Sequence, residues 1–276
     1  MKDYCNDLWP LVYDQFNHGR HEQEQELAFY TRELTSCTGP VLEVACGTGM
    51  ILLPLLERGL DVYGFDLSEQ MLEQLFAKAM RRGHTDIKRR VTKQNMMDFQ
   101  YNLQFEAIFI PARSFLHLTT QEEQIACLQN IHRHLGNDGT LMLNFFTPSL
   151  QIILDNTRSN PAFSEFAVYR HPETGQEIKL SCCQVNNLTE QNQHITWRFE
   201  MAGETQETPM LVRWVYRQEF ELLARLSGFR VAALYSGFDR EPYTGDGEMV
   251  WVLEKESTQP VGEFRSARCG QNASHP

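Results

Sequence analysis

Glu43-Val44-Ala45-Cys46-Gly47-Thr48-Gly49 stands where a short apolar strand gives way to a helical pattern running to Arg58. Glycines at 47 and 49 let the backbone turn tightly and approach a ligand closely. In an open α/β sheet such a turn lies at the carboxyl ends of the strands, where ligands bind. A phosphate loop would need Gly-Lys-Ser/Thr, and no lysine follows. A dinucleotide fingerprint would place its third glycine at 52, where Leu52 stands. Asp66 ends the next strand, and a carboxylate there can accept hydrogen bonds from two vicinal hydroxyls. Further on come Gln94-Asn95-Met96-Met97-Asp98-Phe99 and, after Pro111, Arg113-Ser114-Phe115-Leu116-His117-Leu118. The second stretch carries a guanidinium and an imidazole whose unperturbed pKa is near neutrality.

These residues need a scaffold, and the hydrophobic pattern supplies one. Strands are expected at 41–45, 62–66, 87–91, 107–111 and 141–146. Helices are expected at 21–35, 50–58, 68–79 and 120–135, the third with Ser68 as N-cap. The fourth opens on the capping box Thr120-Gln121-Glu122-Glu123. Strands and helices alternate, and the strands are apolar on both faces, which predicts a parallel, doubly wound sheet. The pattern then changes. Ile178-Leu180-Cys182, Ile195-Trp197-Phe199-Met201 and Val212-Trp214-Tyr216 alternate with polar residues, as in an antiparallel sheet wet on one side. A helix at 218–226 and strands at 229–235 and 249–253 return to the α/β pattern. Residues 1–20, with Trp9, Tyr13 and Phe16, read as an irregular or helical arm lying over the body.

Glycine turn, acidic strand end and Asn-Met segment, in that order, resemble the class I S-adenosylmethionine-dependent methyltransferases. The resemblance is strongest over 10–146 and looser over 210–254. It implies an α/β, doubly wound, seven-stranded Rossmann-like methyltransferase sheet with an antiparallel β insert, and S-adenosyl-L-methionine as cofactor. Carried onto this sequence, it implies that Ala45, Cys46, Gly47 and Gly49 pack under the amino-acid part of the cofactor. Asp66 would hold the ribose hydroxyls, Leu67 and Met71 would flank the adenine, and Asn95 and Met96 would cap and contact the ring. Asn95 replaces the family's usual Asp. Pro111 would lie at the methyl-donor end. Glu43 either meets the amine region through water or braces the loop.

Within that superfamily the chain resembles small-molecule N-methyltransferases, including those that dimethylate amino sugars. Val12-Tyr13-Asp14 with Gly19-Arg20 is similar to their N-terminal arm, in which a tyrosine closes over the cofactor. Tyr13 is therefore a candidate for cofactor and substrate contact, against plain packing of the arm. Ser114 to His117 is similar to their S-x-x-H loop. His117 is the candidate catalytic base or orienting group, against a loop histidine with no proton role. Arg113 either holds an acidic group of the substrate or pairs at the surface. The reaction implied is an SN2 displacement of the methyl group onto a small-molecule acceptor, an amine among the candidates.

The organisation expected is a cofactor-binding domain over 1–150 and 216–255, an antiparallel insert or lid over 151–215, and a disordered tail over 256–276. The chain has 276 residues, with 25 Lys and Arg against 36 Asp and Glu, a net charge of −11. That balance disfavours a body-wide grip on nucleic acid, which weighs against the alternative of an RNA-modifying methyltransferase. A cofactor-binding protein without catalysis is the other alternative, since a cofactor site does not prove turnover. Seven cysteines with no C-x-x-C pattern suit a reduced, cytoplasmic chain. His132 and His134 fall on different helix faces, so no metal is expected. The start of the chain lacks a basic-then-apolar leader, and the longest apolar run, Met50 to Leu56, is far too short to span a membrane.

Overall fold

Alternation along each central strand builds two apolar layers, one on either face of a seven-stranded sheet. The computed structural model describes residues 8–18, 21–157 and 161–256. Strands β1 (Val41–Val44), β2 (Val62–Asp66), β3 (Val91–Lys93), β4 (Phe105–Ile110), β5 (Leu135–Phe146), β10 (Phe229–Ser236) and β11 (Glu248–Lys255) form the sheet in the order β10-β11-β5-β4-β1-β2-β3. The strands from β5 to β3 pair in parallel, and β11 runs antiparallel between β5 and β10.

Leu42 and Val44, Ile108 and Ile110, and Leu141 and Leu143 face helices α5 (Gln121–His134) and α7 (Arg217–Leu226). Val41, Ala107, Phe109 and Met142 face the other way, toward α2 (His21–Leu34), α3 (Leu52–Glu57) and α4 (Glu69–Arg81). The layered α/β architecture follows from residues of one strand pointing alternately to two helix layers. The helix starts follow the expected chemistry. Thr120 and Glu123 close a reciprocal capping box, and the Ser68 hydroxyl accepts the Met71 N–H at 3.4 Å.

The second sheet has four antiparallel strands, β6 (Ser164–Arg170), β7 (Glu177–Asn187), β8 (Asn192–Met201) and β9 (Glu204–Arg213), in sequence order. Its inner face, with Ile178, Leu180, Trp197 and Phe199, is covered by Leu8, Trp9 and Val12 around helix α1 (Trp9–Asn17), together with Met71 of α4. Arg213, at the end of β9, joins this sheet to the body through a 2.6 Å ion pair with Glu219 of α7.

Three local expectations change. Residues 87–91 are a 3-10 turn over Ile87–Arg89 before a three-residue edge strand, because buried Ile87 anchors the turn beside α4. The third insert strand ends at Arg213, since Trp214 and Val215 both turn inward and are buried. Strand β6 was not expected; it is an edge strand whose exposed Phe166 and Val168 blur the alternation. The tail beyond 256, and Gly19-Arg20 of the arm, lie outside the described residues.

Candidate cofactor and acceptor site

Parallel pairing of β2, β1 and β4 brings three connections to one edge of the sheet: residues 45–51, 66–68 and 111–117. The first is the glycine loop. Ala45, Gly47 and Gly49 all have positive φ, of 57°, 51° and 79°. A Cβ at Gly49 would stand 2.9 Å from Leu75 and 3.1 Å from Leu53, so only glycine lets the loop settle on α3 and α4. A Cβ at Gly47 would meet nothing within 4 Å, so the loop faces open space there. Gly64 of β2 likewise leaves no room for a Cβ against Leu52 and Cys46.

Asp66 fixes the loop from the neighbouring strand. Its carboxylate accepts the Gly47 N–H and the Ser68 N–H, each at 2.8 Å. A carboxylate offers about four acceptor positions in all, the kind of group that ligand hydroxyls can share. On the far side, Thr48 donates its hydroxyl to Asp14 of α1 at 2.5 Å, and Lys78 of α4 meets the same carboxylate at 2.5 Å. A groove of about 540 Å³ opens beside this contact, bordered by Asp14 and His18, Gly49 and Met50, Lys78, and Tyr169 of β6.

Glu43 is buried beneath the loop. One carboxylate oxygen has no hydrogen-bond partner, and the group is held well above the usual carboxylate range by burial and by the nearby Glu26 and Asp66. Cys46 is buried too, and burial pushes its thiol up, which removes it as a nucleophile.

The other expected contacts divide. Asn95 uses its side-chain oxygen to accept the Met97 N–H at 3.1 Å, which leaves its amide N–H groups to offer a ligand. Leu67 and Met97 are half-buried. Met96 is sealed in the core with Phe65 and Phe99, and Met71 lies in the cluster under the insert, so neither presents open surface. Tyr13 is half-buried with its ring edge-on to Trp9 at 5.8 Å.

After Pro111, Ala112 and Arg113 both take left-handed conformations, with φ of 55° and 62°. That backbone turns Arg113 toward β11, where it pairs with Glu248 at 2.7 Å and stacks over Phe146. The chain then enters a short 3-10 turn, Ser114–His117, packed under β9. His117 is half-buried there and hydrogen-bonds the Leu211 backbone; burial lowers its pKa to about 4, against the smaller opposite push of that bond. The imidazole is therefore neutral at physiological pH.

Two polar residues of the site are not among the candidates read from the sequence. Asp14 pins the arm to the loop, and its only sequence signal is its place beside Tyr13. Glu26 is buried on α2, in an acidic stretch that reads as solvent-facing. Among the described residues no group of three or more His, Cys, Asp or Glu gathers to hold a metal, and no helix is long and apolar enough to cross a membrane.

Comparison with known proteins agrees with this arrangement. A sequence model of the methyltransferase domain matches residues 41–139, from β1 into β5. The cypemycin N-terminal methyltransferase of a Streptomyces species is 27% identical over 219 residues, covering 78% of this chain and 83% of that protein. A dTDP-3-amino-3,6-dideoxy-α-D-glucopyranose N,N-dimethyltransferase from Streptomyces fradiae is 31% identical over 145 residues, covering 51% of this chain and 54% of that protein. The crystal structure of the CcbJ methyltransferase from Streptomyces caelestis superposes with a TM-score of 0.74 at 19% identity, over 93% of this chain and 100% of that one.

The fold and site are those of a methyltransferase enzyme. More narrowly, residues 41–139 carry a methyltransferase domain, and the fold is shared with S-adenosylmethionine-dependent methyltransferases of class I. The residues present fit that cofactor. The loop faces open space at Gly47, a carboxylate terminates β2, and a buried acid under the loop has an unpartnered oxygen.

Proposed function

We propose that this methyltransferase acts on an amine nitrogen of a small polar molecule, with His117 as the group that orients the acceptor. The observation that carries the reading is His117 itself, a neutral imidazole between the β4 edge and the inserted sheet. The bound cofactor supplies an electrophilic methyl group on a positively charged sulfur. Everything else is asked of the chain. The glycine loop and Glu43 receive the amino-acid end, Asp66 the ribose hydroxyls, and Asn95 and Leu67 the adenine, with Met71 and Met96 supporting their positions from behind. Pro111 and the left-handed turn after it set the floor between donor and acceptor. Tyr13 closes the arm side. Holding nucleophile and methyl aligned is worth about 7–11 kcal/mol in well-oriented reactions.

An amine needs a free lone pair, and a neutral His117 ring nitrogen can accept an N–H from it and aim that lone pair. Arg113 is engaged by Glu248, so its contribution is to shape the turn. Amine acceptors also suit the relatives' printed activities, an N-terminal methyltransferase and an amino-sugar N,N-dimethyltransferase. Those activities and the net charge of −11 favour a small acceptor over RNA.

Incubation with methyl-labelled S-adenosylmethionine and separate pools of nucleotide-linked amino sugars, peptides, amino acids and RNA tests this. Label is expected on an amine of a small molecule or peptide. Label confined to RNA, or to oxygen or carbon, would refute it.

A further inference from the structure

A stripe of α2, formed by Glu26, Phe29, Tyr30 and Leu34, lies against the sheet just below the cofactor edge. Three of these are apolar or aromatic and fully buried, and Glu26 is only 7% exposed. Its carboxyl accepts the Ala112 N–H at 2.7 Å, in the turn immediately after Pro111. Asn144 of β5 hydrogen-bonds the same carboxyl, donates to Glu248 of β11 at 2.8 Å, and accepts from Tyr30 at 2.9 Å. Glu248 is neutralised by Arg113. Glu26 and Glu43 have no such cation: among the described residues neither forms an ion pair. The charged and titratable groups bearing on Glu26 are Glu248 and Arg113, with Tyr30 beside it on α2. Glu43 of β1 faces Glu26 and Asp66.

Two buried acids thus lie close together at the cofactor edge, Glu43 on the strand that leads into the glycine loop and Glu26 against the turn after Pro111, and the proposed cofactor carries a positive charge on sulfur. We propose that Glu26, together with Glu43, forms a charge-sensing site beneath that cofactor: a carboxyl O–H bond breaks when the sulfonium form binds, the proton passes to solvent, and the carboxylate left behind pairs with the incoming charge. The inference rests on the cofactor reading above and goes beyond it in naming Glu26. The demethylated product has lost the sulfonium charge, so it gains nothing from the ionised carboxylate. The site therefore distinguishes cofactor from spent product by charge, and does so better as pH rises. Burial supports this by holding ligand-free Glu26 at about 7, with Ala112 and Asn144 pulling the other way. One released proton per cofactor makes affinity rise roughly tenfold per pH unit below that value and level off above it.

Calorimetry on the full chain tests the proposal. S-adenosylmethionine and S-adenosylhomocysteine are each titrated at pH 6.5 in phosphate and in Tris, whose ionisation heats differ. Wild type is expected to release a proton with the sulfonium form and markedly less with the product. Glu26→Gln keeps the shape and an acceptor for the Ala112 N–H. It is expected to abolish the difference between buffers and, at pH 8, to weaken the sulfonium form about tenfold, a loss on the scale of one pKa unit, while leaving product affinity unchanged. Equal heats in both buffers for wild type would overturn the proposal even if the variant failed to fold, as would unchanged affinity in a folded variant. Absence of binding by wild type would overturn the cofactor reading itself, a result distinct from binding without proton release.

Discussion

Replacing His117 with alanine separates two chemistries by magnitude. Burial holds the ring pKa at about 4. Ordinary amine acceptors have conjugate acids with pKa between about 8 for an α-amino group and about 10.4 for an alkylamine. Moving a proton fully from such an ammonium to this ring is uphill by about 4–6 pKa units, or about 5–9 kcal/mol. A general base normally accelerates its reaction by about 10²–10⁴-fold and works best with a pKa near the operating pH. His117 is mismatched to that task. It is matched to accepting a hydrogen bond from an amine that arrives neutral, a contact worth about 0.5–1.5 kcal/mol. His117→Ala should therefore lower kcat/KM by only about 2–12-fold. With cofactor saturating, the wild-type pH profile for the acceptor should rise with unit slope to the acceptor's own pKa and show no inflection near 6.5.

Imidazole proton or carbon resonances measured by NMR give an acceptor-independent check. The His117 signals should not move above about pH 5. The sign of the stability effect follows. A His pKa lowered by folding leaves stability intact above 6.5 and removes it as pH falls toward 4, by at most about 3 kcal/mol. Urea unfolding of His117→Ala should accordingly show a shallower acid decline than wild type. A titration of His117 between pH 6 and 7.5, or a loss of activity beyond about a hundredfold, where the general-base range begins, would refute the reasoning.

Other perturbations probe the loop and the arm. Asp66→Asn removes a charge-assisted partner worth about 1.5–3 kcal/mol, so calorimetry should show cofactor binding weakened about 10–100-fold; unchanged affinity would remove Asp66 from the ribose site. Gly49→Ala combines a left-handed conformation, costing about 1–2 kcal/mol, with overpacking against Leu53 and Leu75, costing about 1–3 kcal/mol. Gly47→Ala meets open space and has only the first penalty. The denaturation midpoint should therefore fall further for Gly49→Ala, and equal midpoints would contradict the packing. Asp14→Ala breaks the contacts to Thr48 and Lys78. Limited proteolysis should cut its arm faster than wild type while the body survives, and an unchanged cleavage rate would count against the latch.

The central sheet was legible because its strands are apolar on both faces and its punctuation is unambiguous. Gly-x-Gly, Ser68 and the Thr120 box each do one recognisable job. Glu26 was harder. His21-Glu22-Gln23-Glu24-Gln25-Glu26 reads as a wetted helix start, yet 26, 29, 30 and 34 are spaced as one helical stripe, and that spacing was the available signal. Asp14 offered no such clue, since its partner Thr48 is close only after the arm has folded back. Met71 and Met96 show the converse: a motif can name a residue whose side chain ends up packed in an apolar cluster.

The arm is part of the packing rather than a loose flap. The inner face of β7 and β8 presents Ile178, Leu180, Trp197 and Phe199, and α1 covers them with Trp9 and Val12. Trp9 lies 5.4 Å from the Trp197 ring and 5.7 Å from that of Phe199. Burying a large apolar side chain is worth about 1.5–3 kcal/mol, so lifting these two residues costs about 3–6 kcal/mol before the Asp14 contacts are counted. At about 1.4 kcal/mol per tenfold, a freely opened arm is populated about 1% of the time or less. A cofactor that enters from the arm side must displace this cover or bind the small open fraction. Because the same residues roof the insert, whatever holds the arm down also stiffens the sheet above His117. On the proposed reading, cofactor seating at the loop and acceptor alignment under the insert are linked through this one apolar cluster, which Asp14 of the same helix ties to Thr48 of the loop.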